Sequence, residues 1–273
     1  VARQNFFTGL SEYARYKSSR YEIEMRTCRL RHVTGQLLLE TARDFYTVLQ
    51  LEKSLRNREE ILKLYRGIVH ELRRRVAVGK TRSSELLRTD AHIQKLEADI
   101  LSLKNELNRA RLALLTLSGV PEEAELSENR GILPSDMELE QLLTSLKERP
   151  DLKAAEKELL MARQDLLQAR GEHLPSAYLE GTYRVYQTEP KTDDYYAALG
   201  VELPLFSGGI TRAKVKEYES RLRQSELRHR KTRRLARQEI VDAFRSWKST
   251  EKEVEAFREA KQRAQQNYYA VLR

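Results

Sequence analysis

The side chains that most often carry out chemistry in proteins are few in this sequence, and their spacing fits no enzyme site. The five histidines lack the spacing of metal ligands. Gly79-Lys80-Thr81 is similar to the end of a phosphate-binding loop, but no glycine stands five positions before it and no strand precedes it. The single cysteine, Cys28, excludes an internal disulfide and is interpreted as a packing residue. The sequence therefore predicts no catalytic residues, no metal site and no cofactor.

Charged side chains do cluster in one other place, on two segments with the alternation of β-strands. The first runs from Ser176 to Gln187 and the second from Tyr195 to Leu203. One face of the pair is polar and carries Glu180, Thr182, Arg184 and Glu202. The opposite face is apolar and carries Leu179, Gly181, Tyr183, Val185, Tyr195, Ala197, Leu199, Val201 and Leu203.

Two strands of about ten residues, with one apolar and one polar face, are typical of a transmembrane β-barrel hairpin. In such a hairpin the apolar side chains face lipid, and the polar ones line the lumen without any need for catalysis. A hairpin half buried in a soluble fold has the same alternation, so the strands alone leave both interpretations open.

The chain changes character at Pro204-Leu205-Phe206-Ser207-Gly208-Gly209, directly after the second strand. Pro204 has no backbone donor and fits a strand end, and the glycine pair permits the positive φ of a sharp turn. A long polar run with helical spacing follows. The segment therefore predicts a strand-to-helix turn, which depends on Pro204, Phe206, Gly208 and Gly209.

A similar turn, Phe7-Thr8-Gly9, occurs 199 residues earlier in the chain. This offset gives 11 identities between residues 7 and 60 without a gap, at Phe7, Gly9, Ala14, Lys17, Arg29, Arg31, Glu40, Phe45, Glu52, Lys53 and Glu60. A unit of about 200 residues predicts a duplicated half-protein, since it is far longer than a solenoid repeat. In this register Arg273 aligns with Arg74, so we expect the chain to be a piece of a longer protomer.

The composition favours long helices in water over a compact globule. Of the 273 residues, 33% are charged, and the mean hydropathy is −0.68. The net charge of +9 could indicate a nucleic-acid partner. However, the 50 basic residues are interleaved with 41 acidic ones, as is typical of solvated helix faces. No run of 18 apolar residues occurs, so no membrane-spanning helix is predicted.

Two apolar seams with 3-4 spacing predict an antiparallel helical hairpin. The first seam runs from Val48 to Val76, with Arg58 as its one polar interruption, and the second runs from Ile93 to Leu117. The tip lies between them, where Gly79 ends the first helix and Ser83 or Ser84 is predicted to cap the second. Basic residues are concentrated around this tip, which indicates either a solvated helix end or a docking surface.

The order of these parts resembles the TolC family of outer-membrane efflux and export ducts. The most specific motif is Arg149-Pro150-Asp151-Leu152, continued to Leu174-Pro175-Ser176, which looks like the family's Arg-Pro-Asp-Leu helix leading into a strand. Pro204 to Gly209 is similar to the family's strand-exit turn, and Gly79 with Ser84-Glu85-Leu86 is similar to its helical tip. Asn5-Phe6 and Leu10 depart from the family pattern, and a second tip is missing.

The resemblance implies a mainly α fold with a small β part, in which a transmembrane hairpin contributes to a trimeric 12-stranded β-barrel and coiled-coil helices form a periplasmic α-barrel. It implies a homotrimer in the outer membrane that contacts lipid, a periplasmic adaptor and a proton-driven or ATP-driven inner-membrane pump. The protein would be a passive conduit for small molecules or secreted protein, with no nucleic-acid partner. Adaptor docking would fall to the tip residues Gly79, Lys80, Arg82, Ser84, Glu85 and Arg88.

The predicted segments are a strand end and turn (1–9), a helical hairpin with its tip near 78–84 (10–117), an inter-repeat equatorial linker (118–148), a helix into the barrel (149–175), a transmembrane hairpin (176–206) and a long helix (207–273). The alternative is a soluble antiparallel coiled-coil scaffold that binds partners or nucleic acid. The β-hairpin separates the two hypotheses, because a scaffold needs no strands with a lipid-compatible face.

Overall fold

The computed structural model describes residues 2–121, 126, 138–184 and 194–271. Its elements are β1 (Ala2–Thr8), α1 (Ser11–Ala77), α2 (Ser83–Ser118), α3 (Leu139–Thr144), a 3-10 turn (Ser145–Glu148), α4 (Pro150–Gly171), β2 (Ser176–Arg184), β3 (Asp194–Glu202) and α5 (Ile210–Val271). The chain divides into two compact units, Val33–Leu133 and the combined segments Val1–His32 and Pro134–Arg273.

The unit Val33–Leu133 is a helical hairpin that packs along the two predicted seams. On α2 the buried residues recur every seven positions, at Ile93, Ile100, Leu107 and Leu114, as a coiled-coil seam requires. Leu107 and Leu114 form a core with Val48 and Leu51 of α1. Arg58, which interrupts the first seam, pairs with Asp99 of α2 at 3.1 Å, so its charge has a partner at the interface.

In the other unit, α4 lies between the first part of α1 and α5. On the α1 side, Lys157 pairs with Glu24 at 2.7 Å. On the α5 side, Arg170 pairs with Glu219 at 2.9 Å. Near the start of α4, Leu152 packs with Ala236 of α5, which is 1% exposed. Ion pairs therefore connect α4 to both α1 and α5, and apolar packing adds to its contact with α5.

The three strands form one antiparallel sheet in the order β1-β2-β3. The predicted first hairpin strand extended to Gln187, but residues 185–193, including Val185 and the polar turn, lie outside the described part. The prediction that Leu203 belongs to the second strand is wrong, because β3 ends at Glu202 opposite Ser176. Pro175, which precedes Ser176 and would lie opposite Leu203, has no N–H to continue the hydrogen bonding between β2 and β3.

Two predicted helix starts differ from the structure. The prediction that Ser83 or Ser84 caps α2 is wrong: both lie within the helix, and Arg82 occupies the capping position with extended backbone and no side-chain hydrogen bond. The last helix begins at Ile210 rather than at 207, because Gly208 and Gly209 form the turn that precedes it. Among the described residues, no helix has the length and apolar character needed to span a bilayer.

Candidate functional site: an amphipathic sheet, two turns and a basic tip

The pairing of β2 with β3 joins the apolar positions of both strands into one face. Leu179 lies opposite Leu199, and Tyr183 lies opposite Tyr195. This face is uncovered, since Leu199 and Val201 are each 70% exposed. Contiguous apolar surface of this kind marks a membrane or protein contact in a folded protein. The faces that the sequence predicted are thus the faces of the folded sheet.

The predicted polar residues Glu180, Thr182, Arg184 and Glu202 share the opposite face, as the register shows. Thr182 is only 4% exposed, and its hydroxyl has no partner among the described residues. Arg184 and Glu202 are exposed, and Tyr196 donates to Glu180 at 3.4 Å. Three of the four side chains therefore remain accessible on this face, and Thr182 does not.

Two residues of the polar face, Arg3 and Tyr178, were not predicted from the sequence. Arg3 of β1 pairs with Glu202 at 2.9 Å, and its guanidinium lies 3.4 Å from the centre of the Tyr178 ring. That ring covers Gly200, where a Cβ would come within 2.6 Å of the tyrosine oxygen. Arg3 thus crosses β2 to hold all three strands together. The alternation of Arg3 and Asn5 was the available signal, since both belong to the polar side of β1.

The two strand-to-helix turns have the same backbone conformation. Gly9 and Leu10 have φ angles of 60° and 66°, and Gly208 and Gly209 have 61° and 84°. Leu10 is the one non-glycine residue with positive φ in the described part of the chain. After each turn the carbonyl of the second residue accepts the first helical hydrogen bond, at 3.0 Å and 2.9 Å. Leucine therefore occupies a backbone site that normally selects glycine.

The surroundings of the two turns are different. A Cβ on Gly9 would overlap the carbonyl oxygen of Gly171 and lie 2.8 Å from the Leu174 side chain. Nothing in the described chain lies within 4 Å of a Cβ on Gly208 or Gly209. The predicted turn residue Phe206 is 90% exposed. The first turn is packed against the end of α4, and the second is open.

Arg149 and Asp151, the start of the Arg-Pro-Asp-Leu motif, fix the beginning of α4. Arg149 pairs with Asp151 at 2.8 Å and with Glu239 of α5 at 2.7 Å. Burial raises the pKa of Asp151, but the hydrogen bonds and charge of Arg149 outweigh it, so the pKa lies below its ordinary value. Asp151 is therefore held ionised as part of the clamp between α4 and α5.

Gly79 ends α1 in a Schellman turn at the tip. Its φ is 70°, its N–H donates to Val76, and the N–H of Lys80 donates to the carbonyl of Arg75 at 2.9 Å. Beside the turn lies an open groove of about 670 Å³, lined by Glu71, Arg74, Arg75, Val78, Lys80 and Thr81.

The basic residues of the tip fall into two groups. Arg73 is paired with Asp90, and Arg74 and Arg75 with Glu71. Hydrogen bonding from Arg75, helped by the charge of Arg74, lowers the pKa of Glu71. The other three, Lys80, Arg82 and Arg88, are exposed and have no ion-pair partner in the described chain. Ser84 and Glu85 lie beside them in the first turn of α2.

Comparison with known proteins accounts for this combination of parts. The family model described as outer membrane efflux protein matches residues 2–120 and 142–273. The chain belongs to this family. Membership confirms the resemblance on which the sequence analysis relied, assigns the protein to the outer membrane and decides against the soluble scaffold.

Solved structures of outer membrane proteins share the fold of this chain. The structure of CusC has 20% identity and a TM-score of 0.82, with 93% of this chain and 61% of that chain covered. VceC from Vibrio cholerae has 20% identity and a TM-score of 0.77, over 89% and 60% of the two chains. The outer-membrane channel OprN has 18% identity and a TM-score of 0.77, over 89% of this chain and 57% of that chain.

The chain therefore spans about three fifths of the length of these structural relatives. No curated protein matches its sequence at a significant level. Within the described ranges, no group of histidine, cysteine, aspartate and glutamate side chains is arranged to hold a metal ion.

Proposed function

We propose that the chain is part of a homotrimeric outer-membrane duct, through which small molecules or secreted protein pass without bond chemistry. The observation that carries this proposal is the sheet, with one uncovered apolar face and one face of charged side chains. Lipid covers the apolar face, and the polar face lines the water-filled passage. β1 and β3 each have one unpaired edge, and the closed barrel of three copies pairs them.

The predicted duplication favours this assembly, because a duplicated protomer would supply two similar hairpins to one barrel. The two strand-to-helix turns both have positive φ at two successive residues, and the same hydrogen bond starts each helix. Arg29 and Arg228, 199 residues apart, both pair with Glu158 of α4, at 2.9 Å and 2.8 Å. Two arginines at the predicted repeat offset thus hold the same helix from its two sides.

The duct is tested by extracting the full-length protein in mild detergent and measuring its mass and its membrane of origin. A trimer from the outer membrane that is stable only with detergent is expected. A monomer or dimer that is soluble without detergent would refute the duct, since no lipid contact would then explain the uncovered apolar face.

The tip is the proposed docking surface for a periplasmic adaptor, which connects the duct to an inner-membrane pump driven by protons or by ATP. Lys80, Arg82 and Arg88 have no ion-pair partner in the described chain, whereas Arg73, Arg74 and Arg75 are paired with carboxylates. Unpaired exposed charges steer and orient a partner of opposite charge. We therefore propose an acidic surface on the adaptor.

The docking surface is tested by reversing two of these charges, Arg82→Glu and Arg88→Glu together. Export by cells that carry the double variant should fall while the trimer and its thermal stability are unchanged. The matched control reverses Lys63 and Lys95, two exposed cations of the same hairpin that lie further from Gly79. Unchanged export in the tip variant, or an equal loss in the control, would rule out docking through the tip.

A further inference from the structure

One stretch of α5 departs from the mixed charge pattern of the chain as a whole. Residues 228–237 contain six arginines and lysines and no aspartate or glutamate. Arg228 pairs with Glu158 of α4 at 2.8 Å. The other five are exposed and have no ion-pair partner within the described residues: Arg230, Lys231, Arg233, Arg234 and Arg237. This part of α5 therefore carries positive charge that the described chain leaves unpaired.

Four arginines line up on the side of α5 that faces away from α4. On the α4 side, Arg228 pairs with Glu158, and Ala236 packs with Leu152. At 3.6 residues per turn, the opposite side passes through positions 223, 227, 230, 234 and 237. Leucine stands at position 227, and the other four positions hold exposed arginines, which are named the basic stripe: Arg223, Arg230, Arg234 and Arg237.

The first long helix, α1, has no equivalent of the basic stripe. The positions 199 residues earlier hold Glu24, Arg31, Gly35 and Leu38, of which one is basic. Like charges three or four residues apart destabilise a helix, so the stripe is unfavourable for α5 by itself. An anionic partner would remove that repulsion, and α5 is the helix on which such a partner would bind.

A packed helix does not fit as this partner. The positions from 223 to 237 have the 3-4 spacing of a coiled-coil seam, but Leu227 is the one apolar residue among the five. By contrast, the seam of α2 is apolar at each of its buried positions. Helices pack through apolar seams, so the partner of the basic stripe binds through its charge instead.

Lipid headgroups do not fit either, because the stripe lies too far along the helix. α5 belongs to the periplasmic helical part of an outer-membrane protein. It begins at Ile210, after the turn that follows the sheet, so Arg230 and Arg237 lie about 30 and 40 Å along its axis. Salt screens exposed charges over about 8 Å at physiological ionic strength. A bilayer that holds the sheet is therefore not the source of the anions.

We propose that the basic stripe binds a carboxylate-bearing polymer of the periplasm, the cell wall between the two membranes. The guanidinium group of arginine binds a carboxylate through two parallel hydrogen bonds. Along α5 the four arginines are separated by about 10, 6 and 4.5 Å, so an extended chain with recurring carboxylates can contact all of them. The inference rests on the proposed duct for the sheet's place in the bilayer, and the binding itself does not depend on the trimer.

Co-sedimentation of the full-length protein in mild detergent with purified cell-wall sacculi tests the stripe. The triple variant Arg230→Gln, Arg234→Gln and Arg237→Gln should bind about tenfold more weakly than the wild type, since three exposed ion pairs are lost. The matched control changes Arg15, Arg20 and Arg31 to glutamine. It removes three exposed arginines of α1, with the same change in net charge, and should bind within about twofold of the wild type. Equal losses would overturn the proposal, because net charge alone would then explain the binding.

Two measurements on the wild-type protein need no variant. Conversion of the carboxylates of the sacculi to amides should weaken binding about tenfold, and so should an increase in salt from about 0.05 to about 0.5 M. Binding that survives either treatment would overturn the proposal.

The mass of the protein in the same detergent separates the stripe from the duct. A trimer that does not sediment with sacculi would overturn the stripe and leave the duct intact. A protein that is not trimeric but binds sacculi through the three arginines would refute the duct and support the stripe.

Discussion

The two strand-to-helix turns have one backbone conformation and two environments. At the first, Gly9 is packed against the end of α4, and at the second, Gly208 and Gly209 are open. Their conformation therefore comes from the local sequence rather than from packing, since it forms with and without a neighbour. Packing decides instead which residues each position tolerates: leucine is possible where the side chain points outward, whereas contact with Gly171 restricts the other position to glycine.

The largest effect is expected at the packed turn. Gly9→Ala combines the strain of a positive φ with an overlap against the Gly171 carbonyl, and should destabilise the protein by about 2–4 kcal/mol in thermal or denaturant unfolding. Gly35→Ala is the control, because no atom lies within 4 Å of its added Cβ inside a helix, and it should be neutral or stabilising by up to about 1 kcal/mol. Similar losses for both variants would contradict the tight approach of Gly9 to α4.

The next effect concerns the clamp that holds the start of α4. Arg149→Met leaves Asp151 poorly exposed without its cation, so unfolding should require about 1–3 kcal/mol less at neutral pH. The matched change Arg170→Met removes an ion pair in which both side chains are about half exposed, and should cost at most about 1 kcal/mol. If the two variants are equally stable, the clamp does not hold α4.

The pH dependence of the same clamp has a definite sign. The folded-state pKa of Asp151 lies below its unfolded value of about 3.9, so the carboxylate contributes stability above that pH and loses it as the pH falls through the folded value. Unfolding followed between about pH 6 and pH 2 should show a loss below about pH 4. Arg149→Met should make that loss smaller, and an unchanged acid profile would count against the assigned cause.

The smallest effect on stability is expected at Leu10, which occupies a backbone position that normally selects glycine. Leu10 has a φ of 66°, which costs an L-residue about 1–2 kcal/mol. Leu10→Gly removes this strain but adds backbone freedom to the unfolded chain, so a net stabilisation of a few tenths of a kcal/mol to about 1 kcal/mol is expected. A destabilised variant would show that the 62% exposed Leu10 side chain makes a contact that outweighs its strain.

Periodic patterns predicted most of the fold. The seams of α1 and α2, the faces of the two hairpin strands and the tip at Gly79 all follow from residue spacing, because burial in these elements repeats at the period of the backbone. The cap of α2 was mispredicted. Ser83 and Ser84 have side chains suited to capping, but they lie one and two residues after the capping position, which is Arg82. Propensity does not specify which residue leaves the helical conformation.

The polar contacts that join elements could not be read from the sequence. Arg3 reaches Glu202 across an intervening strand, and Glu158 of α4 is shared by Arg29 and Arg228. These pairs depend on register and on which helix lies between which, and neither is encoded in local spacing. The offset of 199 placed the two arginines in equivalent positions, but only the fold shows that they meet at one carboxylate.

The most direct test of the central claim compares one charge on the two faces of β3. Leu199 and Ala198 are neighbours whose side chains lie on the apolar and polar faces, opposite Leu179 and Glu180. If the apolar face contacts lipid, Leu199→Arg should sharply reduce the amount of assembled trimer in the outer membrane. The free-energy cost of an arginine facing lipid near the bilayer midplane is about 2–4 kcal/mol. Ala198→Arg should assemble nearly as the wild type, since its guanidinium would lie on the polar face, which the proposed duct turns toward water. Equal assembly of the two variants, or a larger loss for Ala198→Arg, would contradict a sheet that divides lipid from lumen.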